Sequence, residues 1–530
     1  MRTSFVLWQF DHKRQVVSMK NRKVKSKLRL SGLLLAGLLV FSTLTSCTGQ
    51  NPGGSDGESM TEAGGKETSS GKTEGESESE GTADPYAGTF RVGYGRVNIT
   101  PEEDVPMGGY GNSALRISDS VLSYLYASCI AVTGENDETV LFMTMDVIGS
   151  NESVCNSAAK MIENATGVPA DHISFSATHT HCCADLNMTT DPRIMRYSVA
   201  LAINLRDAAV KAMEDRVPAT LSKTTTETEG LNFVRHYKLD GGLYGGDNHN
   251  SSLLTPEHIL GHASEADHVM QLVKITREGA DDILLTNFQT HPHRAGGSNT
   301  YHITADLVGA YRDKMEAETG MKIAYFSGAG GNLNPSSRIN SENVTANYKE
   351  QGEKLADYAL AALPSLEPIG TGAVKVTARE IELDINHSED DKVPQATQVY
   401  SIWTSTHNIN STLAVAEPFG IYSPFHANAI KTKAGLDATG IVPIRAYSFG
   451  DFAVVFAPYE MFDSNGVVLK ESSPFKVTFI ATCANAALGY IPSAEGYTYG
   501  CYESDTGRYV KGSGEVLINE YLKMLDELNK

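Results

Sequence analysis

The chain of 530 residues is 41% hydrophobic and carries 44 Lys and Arg against 64 Asp and Glu, a formal charge of −20. Its length permits a large buried core. The excess of carboxylates repels phosphate backbones and disfavours a nucleic-acid-binding function.

At the N-terminus Lys20, Arg22, Lys23, Lys25, Lys27 and Arg29 precede an apolar run at residues 30–44, which ends in Leu44-Thr45-Ser46-Cys47. The run is too short to favour a permanent span, and its basic flank and small-residue exit fit an export signal over residues 1–46. The tetrapeptide resembles a bacterial lipobox. That implies a lipid on Cys47 as the first mature residue and an anchor at the outer face of the cytoplasmic membrane, on the cell surface. Such signals begin close to their basic cluster, so Met19 fits as the start better than Met1, with residues 1–18 a wrongly assigned extension. Without residues 1–46, 35 basic and 63 acidic side chains remain, a formal charge of −28. Residues 47–88 hold the Cys47 anchor and a stretch of Gly, Ser, Thr and Glu that cannot offset its ordering entropy by burial. It reads as a disordered acidic tether, extended by repulsion among Glu74, Glu76, Glu78 and Glu80.

From residue 89 to 530, short β-branched or aromatic runs alternate with helical patterns. This predicts an α/β fold of mixed β-sheets flanked by helices. Strands are predicted at residues 139–146, 172–176, 283–288, 323–326, 452–456 and 475–480, with helices at 152–166, 198–214 and 346–362. No internal repeat is visible. Asp146, His179, His181, His291, His293 and Glu460 gather at strand carboxyl ends, where open α/β sheets carry their sites. Beyond Cys47 lie Cys129, Cys155, Cys182, Cys183, Cys483 and Cys501, with no CxxC spacing, and they read as small buried residues rather than disulfides.

The stretch SATHTHCCAD at residues 176–185 sets His179 and His181 two apart. If the strand continues through them, both rings leave one face and can share a metal or a substrate. His291-Pro292-His293 repeats the spacing, with a proline that stiffens the backbone between the rings. His291, directly after an apolar strand, reads as a ligand; His293, beside Arg294 and two glycines, reads as a solvent-exposed loop residue. The loop at residues 327–335, SGAGGNLNP, offers backbone N–H groups around Gly330 and Gly331 that suit an anion or a developing oxyanion. Glu460 suits a cation ligand, a base or a surface helix start, and its neighbours leave these open.

Together these pieces resemble the catalytic domain of the neutral/alkaline non-lysosomal ceramidases. The resemblance rests on VGYGRVNITP at residues 92–101, GGY at 108–110, SATHTH at 176–181, THP at 290–292 with ITAD at 303–306, GAGGNLNP at 328–335, PYE at 458–460 and GYIPSAEGY at 489–497, continuing through Tyr502 and Glu503. It spans about residues 90–505, and the order of the blocks is more specific than any one of them. It implies a zinc amidohydrolase with one Zn2+ per chain, held by His179, His291, Glu460 and Tyr490. His181 and Arg235 would face the substrate and Tyr502 the leaving group. The implied substrate is a small amphiphilic amide, an N-acyl compound like ceramide. Where the family carries a serine before the loop proline, this chain has Asn334, which cannot be a nucleophile but whose amide can donate to an oxyanion. Too few residues follow Tyr502 for the family's C-terminal immunoglobulin-like domain, so none is expected.

The reading that follows is metal-activated water attacking an amide or ester carbonyl, with His181 passing the proton and Asn334, Arg235 and the glycine loop steadying the oxyanion. Residues 386–447, with Trp403, Phe419, Tyr422 and Phe425, read as a cap over the pocket or as a surface insertion. Two alternatives stay open. One is a binuclear metallohydrolase of esters or phosphoesters using both H-x-H pairs and Asp146. The other is a surface binding lipoprotein without turnover.

Overall fold

Strands that are apolar on both faces must be covered on both, and this rule sets the layering. The computed structural model describes residues 85–530 apart from Asn112, Gly297 and Ser298; the export signal, Cys47 and nearly all of the tether lie outside the described residues. Nine strands form the first sheet: β1 (Arg91–Asn98), β2 (Tyr126–Thr133), β3 (Thr139–Met145), β4 (Ile173–Ala177), β5 (Val217–Glu227), β6 (Val269–Arg277), β7 (Ile283–Phe288), β8 (Lys322–Ser327) and β9 (Glu367–Ile369). Their order is β8-β7-β6-β5-β1-β2-β3-β4, with β9 beside β5. The second sheet runs in sequence order: β10 (Val374–Asp384), β11 (Thr439–Phe449), β12 (Phe452–Phe456) and β13 (Val477–Ala481).

Phe142 of β3 faces the second sheet and packs on Tyr447 and Phe456, with ring centroids 5.0 and 5.4 Å away. Its neighbours Leu141 and Met143 take the other face, beneath α1 (Glu152–Thr166) and α2 (Pro192–Glu214). The two sheets thus stack on a shared aromatic core. The remaining outer faces are covered by α3 (Asp306–Thr319) and α4 (Tyr348–Ala362) on the first sheet and by helices Asp463–Ser472 and Ser513–Leu528 on the second. The helix ends follow local chemistry. Asn151 caps α1 by accepting from Val154 N, and Gly167 closes it with φ 76°. Among the described residues no helix is long and apolar enough to cross a membrane.

The strand pairings reveal a repeat that the sequence hides. Three strands pair antiparallel, a helix follows, a fourth strand pairs parallel with the third, and a second helix closes the unit. The order occurs as β1–β4 with α1 and α2, as β5–β8 with α3 and α4, and as β10–β13 with their two helices. Cross-bonds tie the units together near their fourth strands: Thr144 donates to Tyr325 O, Asn287 to Ile480 O, and Asn485 N to Phe175 O. The carboxyl ends of the parallel pairs therefore meet although they belong to three separate units.

In each unit a long connection separates the first and second strands, at residues 99–125, 228–268 and 385–438. The stretch read as one cap, residues 386–447, accordingly divides. Helices Val393–Thr406, Ile409–Ala416 and Pro424–Lys433 form a small cluster of their own, whereas β11, from Thr439, pairs along the whole length of β10. All six cysteines among the described residues are buried and free.

Asp146, at the end of β3, ties the first unit to the second through Arg312 of α3, 2.8 Å away, with both side chains buried. Truncating one partner leaves the other charge buried and alone, so Asp146→Ala should lower unfolding free energy by about 3–5 kcal/mol. A urea titration followed by tryptophan fluorescence or circular dichroism checks this.

Candidate metal centre

The site begins where β4 stops. The strand ends at Ala177, and His179 takes a left-handed backbone with φ 68°, unusual for a residue with a side chain. A turn, not a continued pleat, therefore brings the two rings together: His181 Nε2 lies 3.3 Å from His179 Nε2. From the end of β7, His291 enters with its Nε2 3.0 Å from both of the others. From the second sheet, after β12, Glu460 places Oε2 3.3 Å from His179 Nε2 and 3.9 Å from His291 Nε2. Tyr490 is carried alongside, paired in parallel register with Glu460.

Protonation bears on whether this cluster can hold a cation. His179 Nδ1 donates to Ile148 O at 2.5 Å and His291 Nδ1 to Gly330 O at 3.3 Å. Carbonyls only accept, so each ring carries a proton on Nδ1; a neutral His291 then turns an Nε2 lone pair inward, and His179 can do so once its Nε2 proton is displaced by a cation. Burial first, and His179 next, hold His181 and His291 well below the usual imidazole range, which keeps them neutral. At His179 burial acts in the same direction, but Cys483 and Glu460 outweigh it and hold the group well above that range. Glu460 Oε2 is buried, with His179 Nε2 as its near neighbour. Ligands about 2.0–2.1 Å from a tetrahedral zinc lie roughly 3.3 Å from one another, near the 3.0 Å between His179 Nε2 and His291 Nε2 and the 3.3 Å from His179 Nε2 to Glu460 Oε2. The donor set fits a divalent cation, which could be held within the group of buried His179 and His291 and half-buried His181.

His181 differs from the other two rings. Its Nδ1 is buried without a partner, and the ring is held by packing against Tyr110, 5.3 Å away, and Gly109. A Cβ at Gly109 would stand 2.6 Å from the His181 ring, so only glycine allows this approach. Around the cluster lies a cavity of about 350 Å³ lined by His179, His181, Glu460, Tyr490, Tyr502 and Cys483, with Phe425 from the third connection.

The remaining sequence candidates have other partners. Arg235 and Glu503 form a buried ion pair at 2.5 Å; Arg235 also donates to Gly331 O and lies over the Tyr490 ring at 5.5 Å. Asn334 accepts from His293 Nε2 at 2.9 Å and donates to Asp247 at 3.4 Å. His293, expected in a solvent-exposed loop, instead packs 5.1 Å from the His291 ring and 5.4 Å from His181. The Gly331 N–H bonds Met461 O, and a Cβ at Gly331 would lie 2.6 Å from Glu460 O, so this part of the loop packs the site closely. Asp146 is engaged by Arg312, Tyr126 N and Thr178 Oγ1, which leaves it no role at a second ion. Cys483 and Asp185 were not assigned roles at the site from the sequence, whereas Phe425, read within a possible cap, lines the cavity. Asp185 ends the very stretch that carries His179 and His181, and Cys483 Sγ reaches within 3.5 Å of His179 Nδ1.

No protein-family model matches the sequence, and no curated protein matches it. Solved structures do. The fold is similar to a neutral ceramidase from Pseudomonas aeruginosa, with a TM-score of 0.63 and 15% identity over 83% of this chain and 75% of that one. A ceramidase complexed with C2 gives a TM-score of 0.61 and 14% identity over the same shares. The chain has a neutral-ceramidase-like fold.

The geometry predicts that protein stripped by a chelator rebinds about one zinc per chain and gains thermal stability. His179→Ala and His291→Ala should abolish both effects. Elemental analysis and thermal melts with and without added zinc check this, and about two zinc ions per chain would contradict the single-ion geometry.

Proposed function

We propose that the protein is a zinc-dependent amide hydrolase of N-acyl compounds. The observation that carries this reading is the convergence of His179, His291 and Glu460 Oε2 beside a cavity, on a neutral-ceramidase-like fold. His179, His291 and Glu460, with Tyr490 adjacent, would hold a cation, whose chemistry would be to make hydroxide available near neutral pH and to polarise a carbonyl.

The chain's own groups do the rest. His179 and His291 are oriented by carbonyl acceptors on Nδ1, the usual support of a ligand imidazole. His181 lacks that support. We assign it the proton: its neutral Nε2 accepts one from the attacking water and delivers it to the leaving nitrogen. The Tyr490 and Tyr502 side chains line the cavity, and their phenols can donate to the charge that develops on the carbonyl oxygen. Arg235, held by Glu503 and Gly331, acts behind Tyr490 by fixing its ring. Asn334 stands behind His293 and does not replace a nucleophile. The export signal and Leu44-Thr45-Ser46-Cys47 support placing this activity outside a bacterial cell, tethered by lipid on Cys47.

Amine release from N-acyl substrates tests the roles. His181→Ala should lower kcat by about 10²–10⁴-fold while metal content stays near that of the wild type. His179→Ala should lose both metal and activity, whereas Asn334→Ala should stay within about tenfold of the wild type. The proposal fails if metal-loaded wild type releases no amine from any amide, or if His179→Ala is as active as wild type.

A further inference from the structure

The cavity beside the metal centre has polar lining. Asp185, Asn187 and Ser113 line it, and Gly108, Gly109, Gly111, Gly149 and Gly489 contribute no side chains. Its aliphatic lining is limited to Ile148 and Ala487, and Phe425 is its phenyl ring. Among the described residues no lysine or arginine lines the cavity, whereas two carboxylates, Asp185 and Glu460, do. Two guanidiniums lie behind the lining: Arg235 is paired with Glu503, and Arg116 donates to the carbonyls of Gly108, His181 and Thr300. The Asp185 carboxylate is fixed before any ligand arrives: Oδ1 accepts from Asn187 N at 3.1 Å and Oδ2 from Ser113 Oγ at 2.6 Å. Each oxygen retains a lone pair, so a rigid acceptor faces the space beside the metal centre. At the cavity the first connection approaches the third closely; a Cβ on Gly111 would lie 3.9 Å from Phe425 Cζ. A volume of about 350 Å³ is near the lower end of the roughly 300–1,000 Å³ usual for small-molecule pockets.

Resting on the amide-hydrolase reading, we propose that the substrate is a short-chain N-acyl derivative of a hydrophilic amine, whose amine part donates to Asp185 through an ammonium or hydroxyl group. A two-chain lipid gains affinity by burying methylenes at about 0.8 kcal/mol each, and this wall gives it little to bury against. A donor on the leaving amine meets an oriented carboxylate, the stronger class of hydrogen bond. Asp185 is then a specificity-determining residue: it holds the amine portion while the acyl carbon sits at the metal centre.

Four substrates, given to the full metal-loaded chain, separate the possibilities: N-acetylcadaverine with an ammonium, N-acetylserinol with two hydroxyls, N-acetylpentylamine with neither, and a long-chain ceramide in detergent micelles. We expect kcat/KM for the better of the first two to exceed the last two by about tenfold or more. Asp185→Asn, with metal content unchanged, should raise KM and leave kcat nearly constant. An ammonium substrate would lose about tenfold or more, and a hydroxyl substrate only a few fold, since asparagine still accepts. Asp185→Glu, which keeps the charge, should recover part of the loss and so guards against a mere packing defect. The inference is overturned if ceramide or N-acetylpentylamine is hydrolysed as well as the hydrophilic amides, or if Asp185→Asn leaves KM unchanged for both. Hydrolysis of none of the four by protein that retains its metal overturns the amide-hydrolase reading itself.

Discussion

Three imidazole nitrogens and a carboxylate oxygen converge beside the cavity, and a cation bound there would satisfy the lone pairs that burial keeps unprotonated on His181 and His291. The Nδ1 protons of His179 and His291 are committed to Ile148 O and Gly330 O. Much of the surrounding structure exists to hold this arrangement. His179 adopts a strained backbone, Gly109 gives up its side chain to seat His181, and Gly331 gives up its own to let the loop approach Glu460. Strain of this kind, on the order of 1–3 kcal/mol per residue, persists only where packing over-determines the position.

The packing that does so comes from three structurally similar units. Each delivers the carboxyl ends of a parallel strand pair to the same place. The first contributes His179 and His181, the second His291 and the glycine loop, and the third Glu460 and Tyr490. The long connections, each placed between the first and second strands of a unit, supply the surroundings: Gly109 and Ser113 from the first, Arg235 and Asp247 from the second, and Phe425 from the third. This division separates the metal centre, built on strand ends, from the walls of the cavity, built on loops. Loops can change to suit a substrate while strand ends keep the chemistry. Asp185 and Asn187 are the exception, since they follow His179 and His181 in the segment after β4 and join the polar lining to the metal centre.

Legibility in the sequence followed burial only in part, since the largely buried β2 and β6 were not predicted. α1, β7 and β12 were read with their observed bounds because each carries an unbroken signal: an amphipathic stripe between cap residues, or a run buried on both faces. β5 and β10 were missed. Both are half exposed, so Thr, Lys, Arg and Glu interrupt their apolar residues and dilute the pattern. The repeat escaped for a related reason. A core position requires an apolar side chain of suitable volume, not a particular residue, and connections of unequal length shift the three units out of any common period.

The sequence by itself determined which chemical groups were present and where local structure began and ended: the histidine pairs, Glu460 after its strand, the glycine loop and an excess of acid over base. Only the tertiary structure decided which groups meet. His179 and His291 are 112 residues apart in the chain and 3.0 Å apart in space. The same folding set His293 behind the cluster, gave Asp146 to Arg312, gave Arg235 to Glu503 and turned Asp185 into the cavity. The physical reason is that neighbours along a chain dictate dihedral angles and caps, whereas the partner of a buried charge is chosen by the packing of whole sheets and helices.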